Sequence, residues 1–323
     1  MKKILILGGT GFVGRHVCEK LDPLQWHVTV PTRRPDKAQH LLLHPLLDVV
    51  VMDVHNEAAL TQLMAGHDVV LSLVAQLHGN EASFNRLHVE LPQKIAHACR
   101  ATGVNRLIHI SALGADNQHP DAAPSIYLRS KGRGEAVLKQ AQHLALTLLR
   151  PSVMFGAEDK FLNRFAQLQR LFPLIPLAGA DTRFQPVWVE DVAQAVLHCL
   201  LDNSSVGQTY ELCGPDVLTL KQLVQLAGRL SGIRGGKGRP VISLPRALGK
   251  IQAGLLELAP GEPLMSRDNL DSMQIDNVAS GKLPGLAALG IQAGSVSGIA
   301  PNYLGNGMAS DHLRDLRRHA GRR

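Results

Sequence analysis

The chain has 323 residues, 45% of them hydrophobic and 19% charged, with a formal net charge of +7 at pH 7. This composition is typical of a globular protein, and the sequence has neither an apolar segment long enough to cross a bilayer nor a signal-peptide pattern, which predicts a cytoplasmic location. No aromatic-rich basic motif accompanies the positive charge, part of which lies in residues 311–323, so no nucleic-acid partner is expected.

The first predicted elements are a short strand, a glycine-rich turn and a helix. Residues 4–7 are all apolar, as in a parallel strand that is buried on both faces. The glycines Gly8, Gly11 and Gly14 permit a tight turn, a close approach of backbone N–H groups to a pyrophosphate, and close packing of the helix on the strand. The phosphates would lie at the helix N-terminus. This order of elements predicts a dinucleotide-binding turn.

Strands and helices then alternate as far as residue 150. Further strands are predicted at 26–30, 48–53, 68–74, 106–111 and 145–150, and helices after residue 34 and at 57–65, 84–102 and 126–142. Such alternation predicts an α/β fold with a doubly wound parallel sheet, a Rossmann domain, over residues 1–150. Beyond Pro151 the alternation loosens, and residues 151–323 are predicted to form mainly a smaller C-terminal substrate or cap domain with a basic tail. Within it, Thr219 and Gln222 match a capping box that begins a helix.

Two arginines follow the second predicted strand, where an NAD-binding protein usually has an acidic residue. The guanidinium groups of Arg33 and Arg34 suit the 2′-phosphate of NADP, which a carboxylate would repel. NADP(H) is therefore the preferred cofactor and NAD(H) the alternative. Asp53 and Val54, after the third strand, are placed to contact the adenine. The alternative for polar residues there is capping of the helix that begins at Glu57.

Tyr127 and Lys131 are four residues apart in a predicted helix, so their side chains lie on one face. A nearby ammonium group favours the phenolate, which predicts a lowered pKa for Tyr127 and a role in proton transfer. The same lysine could bind the nicotinamide ribose hydroxyls. An ordinary surface-helix pair is the alternative interpretation of this spacing.

Other residues give weaker signals. The four cysteines show no paired spacing, and His88, His97 and His198 have no second ligand at metal spacing, so they are interpreted as structural and no metal site is predicted. Residues 243–259 place Leu244, Leu248, Ile251, Leu255 and Leu258 on one apolar helix face. Core packing is the default interpretation of this face, and a surface for a lipid, a quinone or membrane headgroups is the alternative.

Several motifs together resemble the short-chain dehydrogenase/reductase superfamily, of the extended or atypical kind that includes nucleotide-sugar epimerases and dehydratases. They are GGTGFVG at 8–14, YLRSK at 127–131 and RPSVMFG at 150–156. More narrowly, HISALGA at 109–115, YLRSKGRGE at 127–135, FQPVWVEDVA at 184–193, YELCGPDVLTL at 210–220 and PNYLG at 301–305 are similar to bacterial relatives of the NADPH-binding accessory subunit of respiratory complex I. The resemblance implies a Rossmann domain with a small C-terminal substrate domain.

The resemblance also assigns site residues. Tyr127 is the candidate acid/base, with Lys131 and Ser111 as the other candidate catalytic residues. The residues expected to line the cofactor are Gly8, Thr10, Gly11, Phe12, Val13, Gly14, Arg33, Arg34, Asp53, Val54, Leu73, Ala75, Lys131 and Pro151. Three features depart from the superfamily pattern. Fewer residues separate the fifth strand from the Tyr127 helix than in typical sugar-modifying relatives. Ser111 is followed by Ala112 and Leu113, where a Ser or Thr is usual, and no NAG-like turn follows the fourth strand.

Three hypotheses follow for the function. The first is an NADP(H)-dependent oxidoreductase that acts on an apolar carbonyl or a quinone-pathway substrate. The second is a non-catalytic, NADPH-loaded structural, assembly or redox-sensing protein, because the complex I subunit holds its nucleotide in a structural role. The third is a nucleotide-sugar epimerase or dehydratase. Expected partners are a small-molecule substrate and, by association, the inner face of a membrane or a respiratory complex.

Overall fold

The chain divides into two compact units in a computed structural model that describes residues 1–258, 263 and 265–305. Unit 1 comprises Met1–Ser152, Val189–Cys213 and Ala279–Gln292, and unit 2 comprises Val153–Trp188 and the described residues within 214–278 and 293–305. Unit 1 thus contains the predicted domain 1–150 together with two later segments, and residues 151–323 contribute to both units. The basic segment 311–323 lies outside the described residues.

The secondary structure consists of short strands and helices. The strands are β1 (Lys3–Leu7), β2 (His27–Thr32), β3 (Leu47–Val51), β4 (Val69–Ser72), β5 (Arg106–Ile110), β6 (Ala145–Pro151), β7 (Met154–Phe155), β8 (Ile175–Ala178), β9 (Arg183–Phe184), β10 (Val187–Trp188), β11 (Thr209–Leu212), β12 (Leu218–Thr219) and β13 (Val241–Leu244). The α-helices are α1 (Phe12–Leu21), α2 (Glu57–Met64), α3 (Glu81–Asn85), α4 (Leu91–Thr102), α5 (Ile126–Gln140), α6 (Leu162–Leu171), α7 (Val189–Leu201), α8 (Leu220–Leu230), α9 (Arg246–Glu257), α10 (Arg267–Ser272), α11 (Val296–Ile299) and α12 (Pro301–Leu304). Short 3-10 helices occupy Asp22–Leu24, Pro35–Leu43, Pro120–Ala122, Asn203–Ser205 and Leu286–Leu289, and a π-helical segment occupies Arg86–Glu90.

Unit 1 is built on a seven-stranded sheet in the order β11-β6-β5-β4-β1-β2-β3. Every pair of neighbouring strands is parallel, which confirms the predicted doubly wound α/β fold. The strand order reverses at β1, whose neighbours are β2 on one side and β4 on the other. In sheets of this kind, ligands bind beyond the carboxyl ends of the strands at such a reversal. Below that edge, Leu5, Leu60, Ile95 and Leu107 belong to a core cluster between the sheet and its helices.

Two helices predicted in unit 1 differ from those observed. The helix predicted after residue 34 is a 3-10 helix that begins at Pro35. The helix predicted at 84–102 is divided into α3, the π-helical segment and α4. Pro92 explains the division, because it lacks the N–H that would close an α-helical hydrogen bond to the carbonyl of His88. The Leu91 N–H instead bonds to the carbonyl of Arg86, five residues earlier.

Unit 2 has its own core and three two-stranded sheets, in which β10 pairs with β7, β12 with β9, and β13 with β8. The predicted capping box is confirmed. Gln222 N–H donates to Thr219 Oγ1 at 3.2 Å, and Thr219 N–H donates to Gln222 Oε1 at 2.7 Å, at the start of α8. Within the described residues, no helix has both the length and the apolar character needed to span a bilayer.

Core packing was the default interpretation of the apolar helix predicted at 243–259, and the structure shows a different arrangement. Its helix, α9, begins at Arg246, because Leu244 belongs to β13, and Ala259 lies outside the described residues. The side of α9 that is buried consists of Gly249 and Ala253. Helical spacing turns the larger apolar side chains away from that side. The exposed fraction of these larger residues is 52–82%, and they are Leu248, Ile251, Leu255 and Leu258.

Candidate functional site

The glycine turn between β1 and α1 has the tight geometry that its sequence predicts. Gly8 has a φ of +91°, which favours glycine, and a Cβ there would lie 3.1 Å from backbone atoms of Leu73 and Val74. A Cβ on Gly14 would lie 2.5 Å from Gly9 backbone atoms, so a side chain at this position would push α1 away from the turn. The turn therefore packs against the segment after β4, where Leu73 and Ala75 are predicted to line the cofactor.

The N-terminus of α1 is suited to an anion. Gly11 is the N-cap residue, and no side chain caps the helix. The first N–H groups of the helix therefore point outward from a turn without a Cβ at Gly11, which is the arrangement that binds phosphate. Thr10 and Phe12 are half-buried and Val13 is buried beside this end. These residues fit the predicted pyrophosphate position of a dinucleotide.

Arg33 and Arg34 are exposed immediately after β2. The Arg34 guanidinium makes an ion pair of 2.9 Å with Asp36. Solvent screens such an exposed pair, so a phosphate dianion can displace the Asp36 carboxylate at little cost. The two cations are therefore available at the strand end where the 2′-phosphate is predicted.

Asp53 and Val54 follow β3 at the same edge of the sheet. Asp53 Oδ1 accepts a hydrogen bond of 3.0 Å from the His55 N–H. That backbone contact, with weaker contributions from nearby His55, Arg33 and Arg86, lowers the pKa of Asp53, so its carboxylate is charged at neutral pH. Val54 is half-buried against the unit 1 core. Helix α2 has a different cap, because the Asn56 side chain accepts from Ala59 N–H, which leaves Asp53 for another role.

Lys131 lies inside unit 1 with 2% of its surface exposed. Its Nζ donates a hydrogen bond of 2.9 Å to the carbonyl oxygen of Ile110, the last residue of β5. Burial lowers its pKa to about 8, although the Glu135 carboxylate acts in the opposite direction. The next residue, Ser111, is 4% exposed, and its hydroxyl has no hydrogen-bond partner among the described residues. A buried hydroxyl without a partner is uncommon and indicates a position where a ligand group can bind.

Tyr127 lies one helical turn before Lys131 on α5 and is half-buried. The prediction of a lowered pKa for Tyr127 is wrong, because burial raises the pKa of its phenol. Lys131 is directed to the Ile110 carbonyl, and its own charge is destabilised by burial. At neutral pH the Tyr127 phenol is therefore protonated in the protein without cofactor.

Two contacts of buried side chains hold the site in place, and the sequence does not reveal either contact. Glu135, one turn after Lys131, is fully buried and binds the Arg150 guanidinium at 2.9 and 2.6 Å. This pair joins α5 to β6, whose last residue, Pro151, accepts a hydrogen bond of 2.9 Å from Leu113 N–H. His88 was interpreted as a structural residue, and it lies against the Tyr127 ring. Neither contact follows from helical spacing, because both partners are distant in sequence.

One group of side chains in the described part of the chain could hold a cation. His16, Glu19 and Glu190 bring one ligand atom each within 4.8 Å of one another. Lys20 Nζ, however, lies 2.8 Å from Glu190 Oε2 and already supplies a positive charge there. This group lies between α1 and α7, and it adds nothing to the assignment of the dinucleotide turn.

Residues 8–203 match the model of a family described as NAD(P)H-binding. The chain belongs to this family. It is 32% identical over 296 residues to rat mitochondrial NADH dehydrogenase (ubiquinone) 1 alpha subcomplex subunit 9, covering 89% of this chain and 75% of the relative. It is 29% identical over 303 residues to the Neurospora crassa mitochondrial NADH-ubiquinone oxidoreductase 40 kDa subunit, covering 93% and 78%. These relatives confirm the predicted resemblance to a complex I subunit.

A shorter match has a different name. Ceramide reductase from Caulobacter vibrioides is 30% identical over 196 residues, which covers 59% of this chain and 58% of the relative. Among solved structures, a nucleoside-diphosphate-sugar epimerase from Staphylococcus aureus superposes with a TM-score of 0.69 at 16% identity, covering 94% of this chain and all of that one. At this identity the similarity concerns the fold alone.

The burial of Lys131 generates a stability prediction. Its pKa in the folded protein, about 8, lies below the ordinary lysine value of about 10.4 that applies to the unfolded chain. The cost of burying the ammonium is therefore complete below pH 8 and disappears as the pH rises toward 10.4. We expect Lys131→Met to raise the free energy of unfolding relative to wild type at pH 7, by on the order of 1–3 kcal/mol, and by much less at pH 9.5.

Urea unfolding at the two pH values measures this difference. Lys139→Met is the matched control, because Lys139 is an exposed lysine on the same helix. A difference between Lys131→Met and wild type that stays constant from pH 7 to pH 9.5 would contradict the assignment of a lowered pKa.

Proposed function

We propose that this protein is an NADP(H)-dependent oxidoreductase of the short-chain dehydrogenase/reductase type. The observation that carries the proposal is the group at the carboxyl end of β5. There, the buried Lys131 donates a hydrogen bond to the Ile110 carbonyl, and the hydroxyl of the next residue, Ser111, has no partner in the part of the chain that the structure describes. Tyr127 precedes Lys131 by one helical turn. Burying a charge and a free hydroxyl together is unfavourable in a purely structural protein core. Their presence supports a site that binds a ligand.

Each group has a role that suits its environment. A bound nicotinamide supplies or accepts a hydride. Lys131 uses one N–H donor on Ile110 and retains two others, which suit the ribose hydroxyls of the cofactor. The Ser111 hydroxyl suits the substrate oxygen. The Tyr127 phenol, protonated at neutral pH, is suited to donate a proton to that oxygen, which favours carbonyl reduction as the direction of reaction.

The catalytic roles generate a first prediction. Tyr127→Phe should retain NADPH binding within about threefold and reduce NADPH oxidation with a carbonyl or quinone substrate by at least about a hundredfold, because it removes the phenol hydroxyl that supplies the proton and keeps the ring. The measurements are NADPH fluorescence titration and absorbance at the NADPH band. Tyr210→Phe is the control, because this tyrosine lies in β11 and outside the candidate site. Full turnover by Tyr127→Phe would exclude the proposed acid.

The preference for NADP(H) rests on the two cations after β2. Removing a charge-assisted hydrogen bond to the 2′-phosphate costs about 1.5–3 kcal/mol, which corresponds to about tenfold or more in affinity. We expect Arg33→Ala to weaken NADPH binding by about this factor and to leave NADH binding unchanged. Calorimetric titration measures both affinities. Lys37→Ala removes an exposed cation from the same segment and is the matched control; an equal loss for both variants would contradict a specific phosphate contact.

The proposed substrate is an apolar molecule that the protein meets at a membrane surface. The support comes from α9, whose outward face presents Leu248, Ile251, Leu255 and Leu258 to solvent, and from the relatives, which are named for ubiquinone and ceramide. An amphipathic helix with its apolar side outward binds at the boundary between lipid headgroups and acyl chains. Arg246 and Lys250 lie on the same helix, where both pair with Asp271, at 2.9 and 3.3 Å, so the support rests on the apolar face.

Vesicle binding tests this part of the proposal. Wild-type protein should sediment with vesicles of phosphatidylethanolamine and phosphatidylglycerol. The triple variant Leu248→Ser, Ile251→Ser, Leu255→Ser should lose at least about tenfold in partitioning, because each buried methylene contributes about 0.8 kcal/mol. The variant Leu42→Ser, Leu43→Ser removes two exposed leucines from the 3-10 helix of unit 1 and is the control. Equal sedimentation of all three proteins would exclude α9 as the contact.

A second candidate function is a nucleotide-loaded subunit that does not turn over. The rat and Neurospora crassa relatives, which align over 75% and 78% of their length, are named as subunits of a larger oxidoreductase, which favours this alternative. Retention of NADPH through purification, together with no NADPH oxidation across a panel of carbonyls and quinones, would support it over the enzyme. The nucleotide-sugar hypothesis rests on similarity of fold alone.

A further inference from the structure

The π-helical segment Arg86–Glu90 is an irregular element beside the candidate site. Such segments occur frequently at functional sites, because they redirect side chains within a helix. His88 is its central residue and is 2% exposed. The segment packs closely on α5, since a Cβ on Gly134 would overlap the carbonyl oxygen of His88. The position of His88 relative to the helix that carries Tyr127 is therefore fixed by backbone packing.

The hydrogen bonds of His88 determine its tautomer. The Gln76 N–H donates to His88 Nε2 at 3.2 Å, so Nε2 carries no proton. In the neutral ring the proton is then on Nδ1, which donates to Ser130 Oγ at 2.8 Å. Ser130 Oγ in turn donates to the carbonyl oxygen of Tyr127 at 2.7 Å. Burial, with a smaller contribution from the Lys131 charge, lowers the pKa of His88 to about 2, so the ring is neutral throughout the physiological range.

The His88 ring also contacts the Tyr127 ring directly. The two rings meet edge to face, with centroids 5.5 Å apart and an interplanar angle of 82°. Phe84 stacks on His88 at 5.6 Å and meets the Tyr127 ring at 5.9 Å. The phenol ring is thus packed against two aromatic neighbours, and the backbone of its own residue is bonded through Ser130. Packing and hydrogen bonding both restrict the orientation of Tyr127.

The other end of these contacts reaches the dinucleotide turn. Gln76 belongs to the segment after β4, and the first residues of that segment, Leu73 and Val74, pack against Gly8. A continuous series of contacts therefore joins the glycine turn to Tyr127 by way of His88. Coupling between two positions in a protein travels through packed and hydrogen-bonded groups of this kind.

We propose that His88 is a positioning residue that fixes the orientation of Tyr127 relative to the segment after β4, which packs against the glycine turn. Its imidazole receives a hydrogen bond from that segment on one nitrogen and gives one to the Tyr127 helix on the other. Any buried histidine needs hydrogen-bond partners for its two ring nitrogens. The partners of His88 lie on two different segments, one after β4 and the other on α5, and both segments border the proposed cofactor site. The inference rests on the proposed function for the importance of Tyr127.

Fluorine NMR of protein labelled with 3-fluorotyrosine tests this proposal. The chain has three tyrosines, and Tyr127→Phe identifies the Tyr127 resonance. His88→Phe keeps a flat ring and removes both hydrogen bonds. We expect this variant to shift and broaden the Tyr127 resonance and to reduce its response to added NADPH, while the resonances of Tyr210 and Tyr303 keep their positions. NADPH affinity, measured by fluorescence, should change by less than about threefold.

Two further variants separate positioning from general destabilisation. Ser130→Ala removes only the link to α5, and we expect it to change the Tyr127 resonance less than His88→Phe does. The double variant of His88→Phe and Ser130→Ala should change this resonance no more than His88→Phe alone, because the two residues act in one series. His97→Phe, an exposed histidine on α4, is the matched control and should leave the resonance unchanged. If His88→Phe does not fold, Ser130→Ala provides the same test.

An unchanged Tyr127 resonance in both His88→Phe and Ser130→Ala would overturn the proposal. A wild-type Tyr127 resonance that does not respond to bound NADPH would overturn the coupling to the segment after β4. If NADPH does not bind at all, the proposed function fails, but the comparison of the ligand-free proteins still decides whether His88 positions Tyr127. The two failures are therefore distinguishable.

Discussion

The hydrogen bond between Lys131 Nζ and the Ile110 carbonyl fixes the geometry on which the candidate site depends. A buried ammonium must keep such a partner, because an unpaired charge inside the protein is far more costly than the same charge in water. The contact therefore connects α5 to the end of β5. The ion pair between the fully buried Glu135 and Arg150 connects the next turn of α5 to β6. Between these two attachments, Ser111 and the Tyr127 helix have little freedom to move.

The glycine turn and the group of Lys131, Ser111 and Tyr127 lie at one edge of the sheet, and the sheet topology explains why. β1 and β4 are neighbours at the reversal of strand order, and β5 lies next to β4. The glycine turn after β1 and the lysine at the end of β5 are therefore two strand spacings apart, on one edge of one sheet. The Tyr127 phenol is protonated and the His88 ring is neutral at physiological pH, so neither places a charge beside Lys131.

The relatives align with 59–93% of this chain and are named for different roles, which is common for a fold that serves many functions. Two are named as subunits of NADH-ubiquinone oxidoreductases and one as a ceramide reductase. In unit 2 of this chain, the apolar face of α9 is directed away from its buried residues Gly249 and Ala253. A helix that places small residues inward and leucines outward packs closely on its own unit and leaves its larger side chains for another surface.

The sequence by itself determined the fold class and the dinucleotide turn, because alternating apolar segments and the glycines at 8, 11 and 14 are local patterns with a physical cause. It also predicted the Thr219 capping box, which needs only four consecutive residues. The raised pKa of Tyr127, the outward face of α9 and the division of the helix around His88 were decided only by tertiary structure. Burial, exposure and hydrogen bonds between distant segments produce these properties, and helical spacing specifies which residues share a face without specifying what that face contacts.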